Sequence, residues 1–243
     1  MHVALTPAEF ADLPLAGRTA LAVDVLRATT AAVAACEAGC RRVVPVPDQA
    51  AAESRAARDG ADILLAGERG GEAIAGFHLG NSPAEFTRDR VAGRTVVLTT
   101  TNGTAAMLTA AEAAAAGLAA LTNVTAAARW ALDQGRDVSI LCAGDNGALS
   151  LEDAVCAGLL VAWLAVAVPA ASLSGGAVAA LGLGRHYGSR LDRLAEDSHW
   201  ARKLLRRGRE ADVACCLRAD TSRVVPVFAG GGFEPRPPAE ACA

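Results

Sequence analysis

The chain reads as a layered α/β protein, and two observations carry that reading. Short β-branched and apolar runs alternate with alanine-rich helical runs along most of the 243 residues, the pattern of helices packed on a sheet with parallel strands. Four of the apolar runs lead straight into small, acidic or hydroxylated residues, as strands do where they hand over to helices at the ligand-binding end of an open sheet.

In chain order, strands are expected at residues 2–5, 19–26, 42–46, 62–66, 94–99, 137–143 and 223–228, where apolar and β-branched residues cluster. Helices are expected at 28–38, 49–59, 103–115, 125–134, 151–166 and 199–207, most of them rich in alanine. The first of these ends at Gly39, and the fifth opens with Ser150 as cap and Asp153 three places on, which is a capping-box pattern. Residues 67–89 follow neither period and carry Gly, His, Asn and Pro, so they form a long loop of the kind that is usually functional or disordered. The glycines at 230–232 and the proline-rich 235–238 read as part of a tail over 230–243. No internal repeat is present. At about 150 residues per domain, the length admits one large or two small domains, and no linker marks a boundary.

Composition excludes several classes. A net charge of −3 argues against bulk nucleic-acid binding, which leaves a basic footprint. Hydrophobic content is 52%, but much of it is alanine and only 4% of residues are aromatic. The most apolar stretch, 154–173, is interrupted by Pro169, and no run of about 20 residues reads as a membrane span. With no signal-like N-terminus, a cytoplasmic protein is expected. Lys203 is the sole lysine, which removes P-loop and Schiff-base assignments. The seven cysteines lack CxxC pairs or a framework of spacings, so they read as small buried hydrophobes rather than zinc ligands. No HExxH, GxSxG, GxGxxG or DxDxT signature occurs.

The polar clusters at the strand ends are candidate walls of one crevice. In Val23 to Thr30, Asp24 can hold a hard cation and Arg27 an anion at the start of a helix. Equally, Asp24 can cap that helix or pair with Arg27. Gly67-Glu68-Arg69-Gly70-Gly71 is a second wall or a flexible turn with a surface ion pair. Thr99-Thr100-Thr101-Asn102-Gly103-Thr104 offers hydroxyl, amide and backbone donors to an anion at a helix start. The fourth cluster, Cys142 to Gly147, leads to Ser150-Leu151-Glu152-Asp153. Cys142 reads as a packed thiol, since no histidine lies at an activating spacing. His78 lies in the long loop and is a possible ligand contact or a structural histidine; His186 and His199 carry no expected role.

Taken in order, Asp24-Val25-Leu26-Arg27-Ala28-Thr29-Thr30, Leu65 to Gly71, Leu79-Gly80-Asn81-Ser82-Pro83, Thr99 to Thr104 and Ser150 to Asp153 closely resemble the motifs of the 2-phosphosulfolactate phosphatase (ComB-like) family. Weaker matches continue through Ser198, Gly208, Asp212 and Ser222 to Val227, so the resemblance spans nearly the whole chain. It implies a three-layer α/β/α fold with a mixed sheet, treated as a single domain over 1–243. It also implies a magnesium-dependent phosphoric monoester hydrolase that converts 2-phospho-3-sulfolactate to 3-sulfolactate and phosphate, a step toward coenzyme M.

On that basis Asp24, Glu68 and Asp153 are the expected Mg2+ environment and catalytic carboxylates, with Glu68 or Asp153 as general base. Arg27 and Arg69 are expected to hold the phosphate and the second acid group. Asn81, Ser82, Thr100, Thr101, Asn102, Gly103 and Thr104 complete the expected substrate contacts. The expected partner is a small anionic phospho-acid, with no nucleic acid and no membrane, in a chain that a homodimer would suit. Three alternatives stay open: a phosphatase of another phospho-acid, a non-catalytic anion-binding protein and a thiol enzyme centred on Cys142.

Overall fold

The computed structural model describes residues 1–60 and 62–236. The first half carries β1 (His2–Ala4), β2 (Thr19–Val23), α1 (Ala28–Glu37), β3 (Arg42–Pro45), α2 (Gln49–Asp59), β4 (Ile63–Arg69), β5 (Glu72–Ala73), α3 (Arg88–Val91), β6 (Thr95–Thr99), α4 (Gly103–Ala110) and β7 (Ala115–Ala119). It continues with α5 (Val124–Asp133), β8 (Val138–Cys142), α6 (Leu151–Ala167), α7 (Gly175–Tyr187), α8 (Leu194–Asp197), α9 (His199–Leu205), α10 (Glu210–Cys216), β9 (Val225–Ala229) and β10 (Gly232–Arg236). The strands form one mixed sheet in the order β1-β8-β2-β7-β9-β10-β3-β6-β4-β5.

Within it, β1, β8, β2 and β7 pair in parallel, and so do β3, β6 and β4. The antiparallel hairpin β9–β10 joins the two runs, with Gly117 opposite Val227 on one side and Phe233 opposite Val43 on the other. The two runs therefore point in opposite senses along the sheet. The loops that follow β2 and β6 nevertheless meet, since a Cβ on Gly103 would lie 2.4 Å from Asp24 Oδ2.

The period-two alternation of β2 shows how the layers form. Leu21 and Val23 face a core shared with Ile140 of β8, α5, α6 and the α8–α10 corner, including Leu160, Val161 and Leu204. Ala20 and Ala22 face the other way, against Ala28, Ala31 and Ala35 of α1 and Ala106 and Met107 of α4. Because β2 is buried on both faces, no residue of it is polar except Thr19 at its start. The small alanines on the second face let α1 and α4 approach closely, and α4 bridges to β6 through Leu98 and Val96. This is the expected three-layer α/β/α arrangement.

Several elements differ from the sequence reading. The helix expected at 103–115 stops at Ala110, and Ala115-Ala116-Gly117-Leu118-Ala119 is a central strand. Its composition looks helical, but tertiary packing decides: a Cβ on Gly117 would lie 2.6 Å from the Trp130 ring of α5, so only glycine lets that helix settle on the sheet. Residues 67–69 belong to β4 rather than to a loop, and 67–89 further contains β5 and the start of α3. The expected tail at 230–243 is corrected at its start, since Gly230 and Gly231 form the positive-φ turn of the β9–β10 hairpin; residues 237–243 lie outside the described residues. The glycine-rich 175–187 is a helix, capped by Ser174. Among the described residues, no helix is long and apolar enough to cross a membrane.

Candidate active site

Asp24 stands one residue beyond β2, at the point where the N-termini of α1 and α4 converge. Its Oδ1 accepts the Ala28 amide at 3.1 Å, so the carboxylate does cap α1. Thr29 Oγ1 accepts the Asp24 amide at 2.9 Å and donates to the Asp24 carbonyl at 2.8 Å, which locks the turn. From the other helix, a Cβ on Gly103 would come within 2.4 Å of Asp24 Oδ2 and of Ala28 Cβ. Asp24 does not pair with Arg27; its pKa is raised to about 7, first by burial and then by Glu68 and Glu152, against the pull of the Ala28 amide and of Arg27.

Asp153 enters from the first turn of α6, whose cap is the expected Ser150, accepting the Asp153 amide at 3.3 Å. Its carboxylate does something the capping pattern does not announce: Oδ1 takes the Val25 amide at 2.8 Å and Oδ2 the Gly144 amide at 3.1 Å. It thereby ties the loops after β2 and β8 together. Burial drives its pKa well up, and Asp24 and Glu152 add to the effect. Glu152, beside it, is 2% exposed and its Oε2 has no hydrogen-bond partner. Its pKa is raised by burial, while the Ser198 and Ser150 hydroxyls pull it back.

Glu68 joins the second wall to the third. Oε1 accepts the Thr101 amide at 2.6 Å, and Oε2 accepts the Gly71 amide at 2.5 Å and Thr101 Oγ1 at 3.1 Å. Thr100 and Thr104 are committed to one another: the Thr104 amide donates to Thr100 Oγ1 at 3.1 Å, and Thr104 Oγ1 donates to the Thr100 carbonyl at 3.2 Å. Of the run 100–104, the amides of Asn102 and Gly103 are the ones that make no hydrogen bond among the described residues.

Arg27, whose peptide bond to Leu26 is cis, is buried and fully oriented, with Nη1 on Asp212 Oδ2 at 2.6 Å and Nη2 on the Gly71 carbonyl at 2.8 Å. Arg69 is exposed at the end of β4, where Nη2 donates to Thr99 Oγ1 at 2.9 Å. Asn81 is 5% exposed with Oδ1 unpartnered. Ser82 donates to Asp212 rather than to open space.

Among the described residues, no group of three His, Cys, Asp or Glu side chains is arranged as a metal cage. The expected trio of Asp24, Glu68 and Asp153 is thus not assembled as one: both oxygens of Glu68 and both of Asp153 are held by amides. Asp24 Oδ2 and the orphaned Glu152 Oε2 are the carboxylate oxygens left over. Magnesium is commonly bound through only one or two carboxylates, with waters and substrate phosphate making up its octahedron, so this donor set fits it.

Sequence reasoning missed Glu152 as a free oxygen, Asp212 as the partner of Arg27, and the contact of Asp145 Oδ2 with His199 Nδ1 at 3.1 Å. Glu152 adjoins a motif residue and was within reach of the pattern; Asp212 and His199 meet the site only through folding. Cys142 is a packed thiol, fully buried, with its pKa driven well up by burial and by Asp153. His78 is structural, its Nδ1 accepting the Leu65 amide at 2.9 Å.

A family model described as 2-phosphosulpholactate phosphatase matches residues 4–231. A protein of Symbiobacterium thermophilum named "probable 2-phosphosulfolactate phosphatase" is 40% identical over 233 residues, covering 94% of this chain and 97% of its own. Proteins of the same name from Deinococcus radiodurans and Thermus thermophilus are each 42% identical, over 219 and 212 residues. Those alignments cover 89% and 86% of this chain, and 90% and 87% of the relatives.

Proposed function

Because the chain belongs to the 2-phosphosulpholactate phosphatase family, we propose that this crevice hydrolyses the phosphate monoester of 2-phospho-3-sulfolactate, releasing 3-sulfolactate and phosphate. The observation that carries the reading at the level of residues is Asp24, a buried carboxylate wedged between two helix N-termini, with Oδ1 on the Ala28 amide and Oδ2 left over.

The phosphoryl group lies against the start of α4, where the free amides of Asn102 and Gly103 and the positive end of the helix meet its oxygens. Arg69 and Arg27 approach from separate walls, Arg69 toward the phosphate and Arg27 toward the second acid group. Asp24 and Glu152 would hold Mg2+, which when bound neutralises phosphoryl charge and lowers the pKa of a bound water. The attacking water gives its proton to a crevice carboxylate, and whichever of Asp24 Oδ2 and Glu152 Oε2 does not hold the cation is free to accept it. Glu68 and Asp153 hold the loops in register rather than acting as the base. A cytoplasmic location is part of the reading, and cell fractionation tests it.

The deciding experiment measures phosphate release from 2-phosphosulfolactate before chelation, after it, and after magnesium is restored. Loss on chelation and recovery with magnesium is expected. Full turnover after exhaustive chelation overturns the metal assignment, and absence of turnover with metal present favours the anion-binding alternative.

A further inference from the structure

The two partners of Arg27 come from distant parts of the chain. Asp212, on α10, is 185 residues away in sequence, and the pair is almost closed to water, at 4% and 6% side-chain exposure. The Gly71 carbonyl, in the β4–β5 turn, takes the other terminal nitrogen. Asp212 is itself seated: its second oxygen accepts Ser82 Oγ, from the loop after β5. Burying an ion pair carries a desolvation cost that attraction offsets only when the geometry is good and the remaining lone pairs are satisfied, and here both conditions hold.

This arrangement does more than staple loops. A guanidinium has five N–H bonds in one plane, and anchoring both terminal nitrogens fixes that plane. The remaining donors then point in set directions. Asp212 also cancels much of the diffuse positive field, so what Arg27 offers a ligand is directional hydrogen bonding rather than general attraction to anions.

We propose that Asp212, seated by Ser82, is a positioning residue that orients Arg27 so that the site selects a phosphate ester carrying a second acid group. The proposal rests on the phosphatase reading. It extends that reading to residues that touch Arg27, not the reacting atoms.

The test compares wild type with Ser82→Ala, Ser82→Thr and Asp212→Asn, on 2-phosphosulfolactate and on p-nitrophenyl phosphate, which lacks the second acid group. Melting temperatures are recorded in parallel. Ser82→Ala and Asp212→Asn are expected to raise KM for 2-phosphosulfolactate by about tenfold to a hundredfold, the scale at which a small misplacement is felt, while KM for p-nitrophenyl phosphate changes little. Ser82→Thr, which keeps the hydroxyl donor, is expected to restore selectivity. Equal losses on both substrates, or wild-type selectivity in Ser82→Ala, overturn the proposal and leave a structural staple. If the wild type turns over neither substrate, the phosphatase reading fails by itself. Calorimetric titration with 3-sulfolactate then decides the inference: unaltered affinity in Ser82→Ala overturns it, and weakened affinity restored in Ser82→Thr supports it.

Discussion

Asp24 Oδ2 lies in the space that a side chain on Gly103 would need, 2.4 Å from where its Cβ would stand. The acid after β2 and the first residue of α4 therefore fit together only if one of them is glycine, and the placement of the carboxylate depends on a residue that has no side chain. Gly103→Ala is expected to displace either Asp24 or the helix start. Overpacking of this kind costs about 1–3 kcal/mol, and the shift of the carboxylate should lower kcat/KM by about a hundredfold. Urea unfolding and steady-state kinetics check both, and an alanine variant with wild-type values in each would show that the contact relaxes freely.

The raised pKa of Asp24 makes the metal-free protein pH-sensitive. A carboxyl that titrates near 7 when folded and near 3.8 when unfolded binds its proton more tightly in the native state. Its contribution is fully present below the unfolded value and is lost as pH rises through the folded one. Over that window each pH unit costs about 1.4 kcal/mol for a single proton, and Asp153 and Glu152, also raised, act in the same direction. Thermal melts in a chelating buffer are therefore expected to fall between pH 5 and pH 8. Magnesium should restore the melting temperature at pH 8 and do little at pH 5. A flat profile in the chelating buffer would contradict the buried acid cluster.

Asp24→Asn separates charge from shape. The amide retains the outline of the side chain and can still accept the Ala28 amide through its oxygen, so α1 stays capped. Removing the negative charge should abolish phosphate release, by at least about a thousandfold, while raising the melting temperature of the metal-free protein at pH 8. Circular dichroism and a phosphate assay together decide it; retention of turnover would return Asp24 to a capping role alone.

Cys142 provides the control against thiol chemistry. It is wholly enclosed, and the neighbouring Asp153 opposes formation of a thiolate. Cys142→Ser should lose about 1–3 kcal/mol, because a hydroxyl is placed among apolar groups, yet keep appreciable turnover. Alkylating reagents applied to the native protein should leave activity intact. A stable serine variant without activity would revive the nucleophile.

What the sequence makes legible follows from locality. Asp24, Arg27, Glu68, Thr101 and Asp153 sit at junctions where apolar runs stop, and a strand end that turns polar is visible without knowing its neighbours. The capping of α6 by Ser150 is equally local. The strand at Ala115–Ala119 is not, because its identity depends on the Trp130 ring that lies over Gly117 and on neighbouring strands far along the chain. The division of labour among the carboxylates is hidden for the same reason. Asp153 looks like a capping-box acid or a metal ligand until the Val25 and Gly144 amides are found on its two oxygens. Asp212 shows in the sequence only as a weak match to the family motifs, and its role is supplied by Arg27, 185 residues away.

The hairpin β9–β10 has a consequence for synthesis on the ribosome. It is the last structure described in the chain, yet it occupies the middle of the sheet, between β7 and β3. Until residues 225–236 emerge, the two parallel runs have no strand connecting them and each presents an open inner edge. Such edges are templates for pairing with other chains, and long-range strand pairing is slow and prone to aggregation. A nascent chain stalled before Val225 therefore carries two incomplete half-sheets, and the candidate crevice, whose walls come from both, closes only once that hairpin has been made.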